Sequence, residues 1–143
     1  MEGAIGERLK REYNFMPDEH VALAAMIYHP ASRVALEKIY REYISIAAMY
    51  GLPFIATTPT RRANRERVAL SDYNQDIIAD NVLFLEGLKK YAGTEMYLGG
   101  LMGCRGDAYM AKDVMPEDEA IKFHSWQADL FKTAGVDFLF AGI

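Results

Sequence analysis

The sequence has 143 residues, 51% hydrophobic and 25% charged, with a formal net charge of −4; this is the balance of a single globular domain long enough to build a core. The acidic balance argues against nucleic acid as the main partner, because phosphate binding shows as a basic excess. One cysteine, Cys104, excludes an internal disulfide and leaves a cysteine-based metal site incomplete within the chain, which fits a reducing, cytoplasmic compartment.

The N-terminus carries both charge signs, and no stretch approaches the roughly 18 uninterrupted apolar residues of a membrane span, so neither secretion nor a membrane partner is expected. Met1 to Gly6 is small in composition, and Glu7 to Tyr13 predicts a short charged helix. Pro17-Asp18-Glu19 predicts a first helical turn, with proline at its start and acids against the positive end of the dipole. His20 to Tyr28 continues that helix and His29-Pro30 ends it.

From Ala31, the residues Leu36, Ile39, Tyr43, Ile46 and Tyr50 fall on one face, with Arg33, Glu37, Lys38, Arg41, Glu42 and Ser45 on the other, which predicts an amphipathic helix closed by Gly51. Residues 53 to 58 then read as a short buried strand that delivers Thr57, Thr58 and Thr60 at its C-terminal end. Arg61 to Leu70 reads as a short helix or helical loop. Ser71-Asp72 offers a cap for a helix from Tyr73 to Tyr91 with a buried stripe of Ile78, Val82, Leu85, Leu88 and Ala92, ended by Gly93.

Met96 to Leu98 predicts the next strand, running into a glycine-rich loop from Gly99 to Asp107 that lacks a phosphate-loop pattern and reads as a close backbone approach. Pro116-Glu117-Asp118-Glu119 opens a last helix whose inner face is Ala120, Phe123, Gln127, Leu130, Phe131 and Ala134. After Gly135, Val136 to Ala141 is a continuous apolar run of the kind buried on both faces of a parallel sheet.

The helix-Gly-strand pattern thus recurs at Gly51, Gly93 and Gly135, which are evenly spaced. Repeated units of this kind predict an α/β fold with parallel strands, a partial (β/α)8 TIM barrel of about the first four β/α units, in one domain over residues 1 to 143, with most of the first strand placed upstream of Met1. In such folds the C-terminal ends of the strands carry the site.

Several of these segments resemble the homocysteine S-methyltransferases. Glu2-Gly3-Ala4-Ile5-Gly6-Glu7 is similar to that family's opening Asp-Gly-Ala/Gly-Met-Gly-Thr. His29-Pro30 through Tyr43 resembles its second helix, and Thr57-Thr58-Pro59-Thr60-Arg61-Arg62-Ala63-Asn64 its Thr-Thr-Asn-Thr-Tyr-x-Ala-Asn strand end. Gly106-Asp107-Ala108-Tyr109 and Phe123-His124-x-x-Gln127 leading to Ala134-Gly135-Val136-Asp137 complete the match. The resemblance implies methyl transfer to a zinc-activated thiol in methionine biosynthesis, with a small-molecule thiol and a methyl donor as partners. It also implies a substrate shell at Glu2, Gly3, Thr57, Thr58, Thr60, Gly103, Cys104 and Gly142, with Glu2 for an ammonium and the Gly3 amide for a carboxylate. Gly142 stands where the family has a second acid, Pro59 where it has Asn, and Cys104 where it has Pro. The zinc expected from the resemblance needs cysteine ligands that this chain does not contain.

Each of these groups also has a plainer reading. The threonines serve equally as strand residues that cap the next turn, Cys104, a candidate reactive thiol, as a small packing residue, and His124 as a structural hydrogen-bonder. Arg61, Arg62, Arg65 and Arg67 are candidates for binding a phosphate or carboxylate of a donor, against the favoured reading of a solvated helix face. His20 and His29 make no metal spacing. The alternative function is a non-catalytic half-barrel that binds a small molecule or self-associates through exposed strand edges.

Overall fold

The computed structural model describes residues 1–106 and 114–142; Asp107, Ala108 and Tyr109 of the family-like segment, and Ile143, lie outside the described residues. The elements run α1 (Ile5–Tyr13), a 3₁₀ turn (Leu23–Tyr28), α2 (Pro30–Met49), β1 (Phe54–Thr57), α3 (Arg65–Leu70), α4 (Asp76–Lys89), β2 (Met96–Met102), α5 (Glu117–Ala134) and β3 (Phe138–Ala141). The strands form one parallel sheet in the order β1-β2-β3. Phe54 pairs with Met96 and Thr57 with Gly99, then Gly99 with Phe138 and Met102 with Ala141. This is an α/β architecture with an open three-stranded sheet. No helix among the described residues is long and apolar enough to cross a membrane.

The three repeat glycines produce the predicted helix-to-strand reversals. Gly51, Gly93 and Gly135 have φ of 63°, 67° and 80°, the left-handed region that a residue without Cβ enters at little cost. At the end of α2, Leu52 N–H donates to Ala47 and Gly51 N–H to Ala48. At the end of α5, Val136 N–H donates to Phe131 and Gly135 N–H to Lys132. Both are Schellman closures that satisfy the last helical carbonyls and turn the chain back toward the sheet.

Alternation along β1 and β2 sends Phe54, Ala56, Met96 and Leu98 into the helical layer, where they pack with Leu36, Ile39, Tyr40, Leu85 and Leu88. A second cluster joins Val21, Ala24, Ile77, Ile78, Val82 and Phe131. The predicted α4 stripe of Ile78, Val82, Leu85, Leu88 and Ala92 is buried throughout. The opposite sheet face is uncovered, with Ile55, Tyr97 and Phe140 exposed.

Five details differ from the sequence expectations. Pro17 to Ala22 is not helical. Asp18 Oδ1 accepts the His20 and Val21 amides and its backbone bridges Ala22, forming a tight loop that preempts the helical ladder. On α2, Tyr40 and Ile44 are buried while Ile46 and Tyr50 are exposed, because a strict heptad stripe drifts by about 20° per heptad around a straight helix. The cap of α4 comes from Asn74, whose Oδ1 accepts the Asp76 amide, rather than from Ser71-Asp72. Proline 116 is the N-cap of α5 rather than its first helical residue.

The fifth concerns the glycines after Leu98 and the last strand. Gly99 and Gly100 belong to β2, and their close approach is to aromatic rings: a Cβ on Gly99 would lie 2.5 Å from the Phe138 ring, and one on Gly100 2.6 Å from Phe131. The expectation that β3 is buried on both faces is corrected, since Leu139 is 46% and Phe140 40% exposed. Among the described residues no further strand or helix lies beyond β3 to cover it.

Gly100→Ala is expected to destabilise the fold by about 1–3 kcal/mol, because the buried Phe131 ring cannot swing away as a flexible chain end would. Gly87→Ala, at an open position on α4, is expected to stabilise by about 0.5–1 kcal/mol through helix propensity. Urea denaturation of both variants checks the opposite signs.

Candidate functional site

The C-terminal end of β1 is tied to two other segments through one residue. Thr57 N–H donates to Glu2 Oε1 at 2.9 Å, and the Thr57 hydroxyl donates to the same oxygen. The Thr57 carbonyl accepts the Tyr40 hydroxyl at 2.7 Å. Glu2 therefore sits at the strand end, buried, and its second oxygen, Oε2, has no partner among the described residues. Burial pushes the Glu2 carboxyl above its ordinary 4.5, against the lowering effect of the Thr57 hydrogen bonds. The Tyr40 hydroxyl is held well above its usual range by burial and then by the Glu2 charge.

The next two threonines close a different circuit. Leu101 N–H donates to Thr58 Oγ1 at 3.0 Å, Thr58 and Thr60 hydroxyls lie 2.7 Å apart, and Thr60 Oγ1 donates to the Leu101 carbonyl at 2.9 Å. Because Thr60 spends its proton on Leu101, the shared bond must run from Thr58 to Thr60. Both hydroxyl protons are committed to fastening β1 to β2.

A cleft of about 840 Å³ opens beside Glu2. Of the eight sequence candidates, Glu2, Gly3, Thr57, Thr58 and Gly142 line it. Thr60 is buried in the β1-β2 circuit, Gly103 backs onto the Arg61 carbonyl, and Cys104 is exposed with its thiol on the Gly106 carbonyl, so the structure does not bring these three into the cleft. At Gly142 an added Cβ would meet the movable end of Leu101 at 2.7 Å.

Sequence reasoning missed part of the wall. Ile5, Gly6 and Glu7, the first turn of α1, line the cleft. No side chain caps that helix, and its first backbone bond is Arg8 N–H to Ala4, so the amides of the first turn, at the positive end of the dipole, have no helical partner. Ala4 and Ala22, both at φ of 51°, line the cleft as well; left-handed alanines are strained by about 1 kcal/mol or more and gather at such sites. Tyr40 also lines it, as do Arg61 and Arg62, which the sequence offers as candidate contacts for a donor's phosphate or carboxylate. The readable signal was Tyr40, one residue off the predicted stripe.

The zinc implied by the resemblance does not fit this donor set. Among the described residues no group of three His, Cys, Asp or Glu side chains comes together, and Cys104 is one exposed thiol.

Compared with known proteins, the chain matches a family model described as homocysteine S-methyltransferase over residues 1–142. No curated protein and no solved structure matches it.

A carboxyl whose folded-state value is raised holds its proton where the unfolded chain has released it, so its contribution is most favourable below 4.5 and is lost as pH rises toward the folded-state value. Stability of the native chain relative to Glu2→Gln should therefore fall with rising pH above 4.5, with a slope of at most about 1.4 kcal/mol per pH unit. Chemical denaturation of both proteins across pH 4 to 8 (roughly the range where such a group titrates) checks it.

Proposed function

Because this chain belongs to the homocysteine S-methyltransferase family, we propose that the cleft beside Glu2 holds the amino acid end of a thiol substrate, and that the chain is part of a methyl transferase acting on that thiol. The observation that carries this reading is the buried Glu2 Oε2 with no partner among the described residues, on a residue that lines the same cleft as the first turn of α1. An acceptor oxygen and a set of free amides are the two halves of a receptor for a zwitterion.

In this arrangement Glu2 Oε2 accepts the substrate ammonium, while Oε1 stays on Thr57 and so keeps the carboxylate from turning away. The Gly3 amide and the first amides of α1 receive the α-carboxylate. Tyr40, buried against Thr57, holds the strand end in place. Thr58 lines the wall, with its hydroxyl held in the β1-β2 circuit. The family's second acid is Gly142 here, so Glu2 carries the ammonium without that help, and the tighter grip of two carboxylates is traded for room at the end of β3. Thiol activation by zinc is a property of the family; no residue set among the described residues supplies it.

The sheet supports a barrel setting for this cleft. Parallel sheets are covered on both faces, and here the face carrying Ile55, Tyr97 and Phe140 is exposed, as the inner face of a (β/α)8 barrel would be before the remaining strands close over it. The same face supports the second reading, a half-barrel that associates with its own kind. Sedimentation velocity over a concentration series should show reversible association of the 143-residue chain, weakened by Phe140→Asp; a strictly monomeric chain would count against it.

The substrate reading is tested by NMR titration with L-homocysteine and with 4-mercaptobutyrate, which keeps the thiol and carboxylate and lacks the ammonium. Glu2→Gln should weaken homocysteine at least about tenfold and leave 4-mercaptobutyrate unchanged. Homocysteine affinity of the native chain should rise with pH through the raised Glu2 value, because only the ionised carboxyl pairs with the ammonium. Equal homocysteine affinity in native and variant chains would remove Glu2 from the site.

A further inference from the structure

We propose that the turn carrying Arg61 and Arg62 is an oxyanion subsite of the cleft, at which Arg62 takes the carboxylate or phosphate of a second ligand, the co-substrate of the amino acid at Glu2. The assignment to a second ligand rests on the amino acid reading above, since there the α-carboxylate is already received at the start of α1.

The turn is fixed before any ligand arrives. Ala63 N–H donates to Thr60 O at 2.8 Å, which makes Arg61 and Arg62 the two central residues of a β-turn. Buried Gln127 reaches both ends of it from α5, with Nε2 3.1 Å from Thr60 O and 3.2 Å from Ala63 O. The Thr60 hydroxyl holds the turn to β2, and Asn64, buried just after it, caps α3 through the Arg67 amide. On the remaining side Gly103 lies so close that a Cβ there would sit 2.5 Å from the Arg61 carbonyl. An exposed corner clamped from three elements presents its side chains with little backbone freedom left to lose on binding.

The charge of Arg62 is uncompensated among the described residues. Arg8, Arg11, Arg41 and Arg105 each sit in an ion pair with a glutamate. Arg62 lines the cleft and makes no ion pair or hydrogen bond among the described residues. Its influence falls on another cation: the Arg67 guanidinium is lowered first by its own burial and then by Arg62.

The cleft acids are mostly engaged elsewhere. Glu7 pairs with Lys10 and Arg11, Asp18 accepts two amides and Glu2 is bound to Thr57; Glu19 lines the cleft as well and is not paired with Arg62. A guanidinium with all its donors available on a rigid corner suits a planar or tetrahedral oxyanion, which it can grip through two parallel N–H···O bonds.

The test uses inorganic phosphate as the probe, followed by NMR titration at low ionic strength in the native chain, Arg62→Gln and Arg65→Gln. Arg65 is exposed on α3 outside the cleft and removes the same net charge. Arg62→Gln should weaken phosphate about tenfold while keeping the native melting temperature and L-homocysteine affinity; Arg65→Gln should bind phosphate as the native chain does. Equal losses in both variants would reduce the effect to net charge and overturn the subsite. Loss of homocysteine together with phosphate in Arg62→Gln would give the oxyanion to the amino acid itself and overturn the second ligand. A failure of the Glu2 reading shows separately, as unchanged homocysteine binding in Glu2→Gln.

Discussion

Everything around the cleft hangs on the peptide groups of Thr57. Its amide is claimed by Glu2 and its carbonyl by Tyr40, so the N-terminal segment, the middle of α2 and the end of β1 meet at one residue. An edge strand would otherwise present that amide to solvent. Here the carboxylate substitutes for a neighbouring strand at that point, and in doing so it is drawn out of water. The Tyr40 hydroxyl repeats the logic from the helical side, since a buried carbonyl left without a donor would cost about 1–3 kcal/mol. The strand end is thus held rigid by polar bonds that also define where the ionisable group must stand.

The sheet places a second constraint on the cleft. Glycines at 99 and 100 let aromatic rings press against β2 from both faces, Phe138 on one side and Phe131 on the other. That contact draws α5 close, and α5 brings Gln127 to the Thr60–Ala63 turn. The position of two arginines at the cleft is therefore set by packing of an aromatic ring on the far side of the sheet. Gly103 continues the theme, because a larger residue there would drive β2 away from the turn.

Much of this was legible in the sequence. The three left-handed glycines, the α4 stripe and the strand ending at Thr57 follow from local rules of periodicity and capping, which act over a few residues. Glu2, Gly3, Thr57, Thr58 and Gly142 were found as lining of one cleft. What stayed hidden depends on long-range bonds. Nothing near Asp18 in sequence says that its side chain will take two amides and cancel a helix. The conversion of Thr60 from candidate ligand to fastener needs Leu101, 41 residues away. For Arg62 the sequence offers both a solvated face and an anion contact, and only Gln127, from the last helix, shows the turn beneath it to be fixed. The exposure of β3 was misread because an apolar run states what a strand can bury, and burial needs a neighbour.

The energetics of Glu2 argue for a ligand rather than for structure. Oε1 does all the structural work with Thr57, and a glutamine could supply that oxygen without an ionisable group. Keeping the acid leaves Oε2 without a partner and raises the cost of ionisation, a penalty that the fold gains nothing from on its own. The other buried side-chain oxygen without a partner among the described residues, Asn81 Oδ1, belongs to an amide whose nitrogen holds both Ala24 and Ile77, so there the residue type is justified by its donor. Glu2 has no such second duty. Burial outweighs the Thr57 hydrogen bonds that favour its negative charge, so a cation entering the cleft would favour that charge further, as an anion would favour the uncapped turn of α1 beside it. On the proposed reading, two demands of opposite sign on one wall would together be met by a zwitterion, and the penalty of leaving them open would give the bound state its advantage over water.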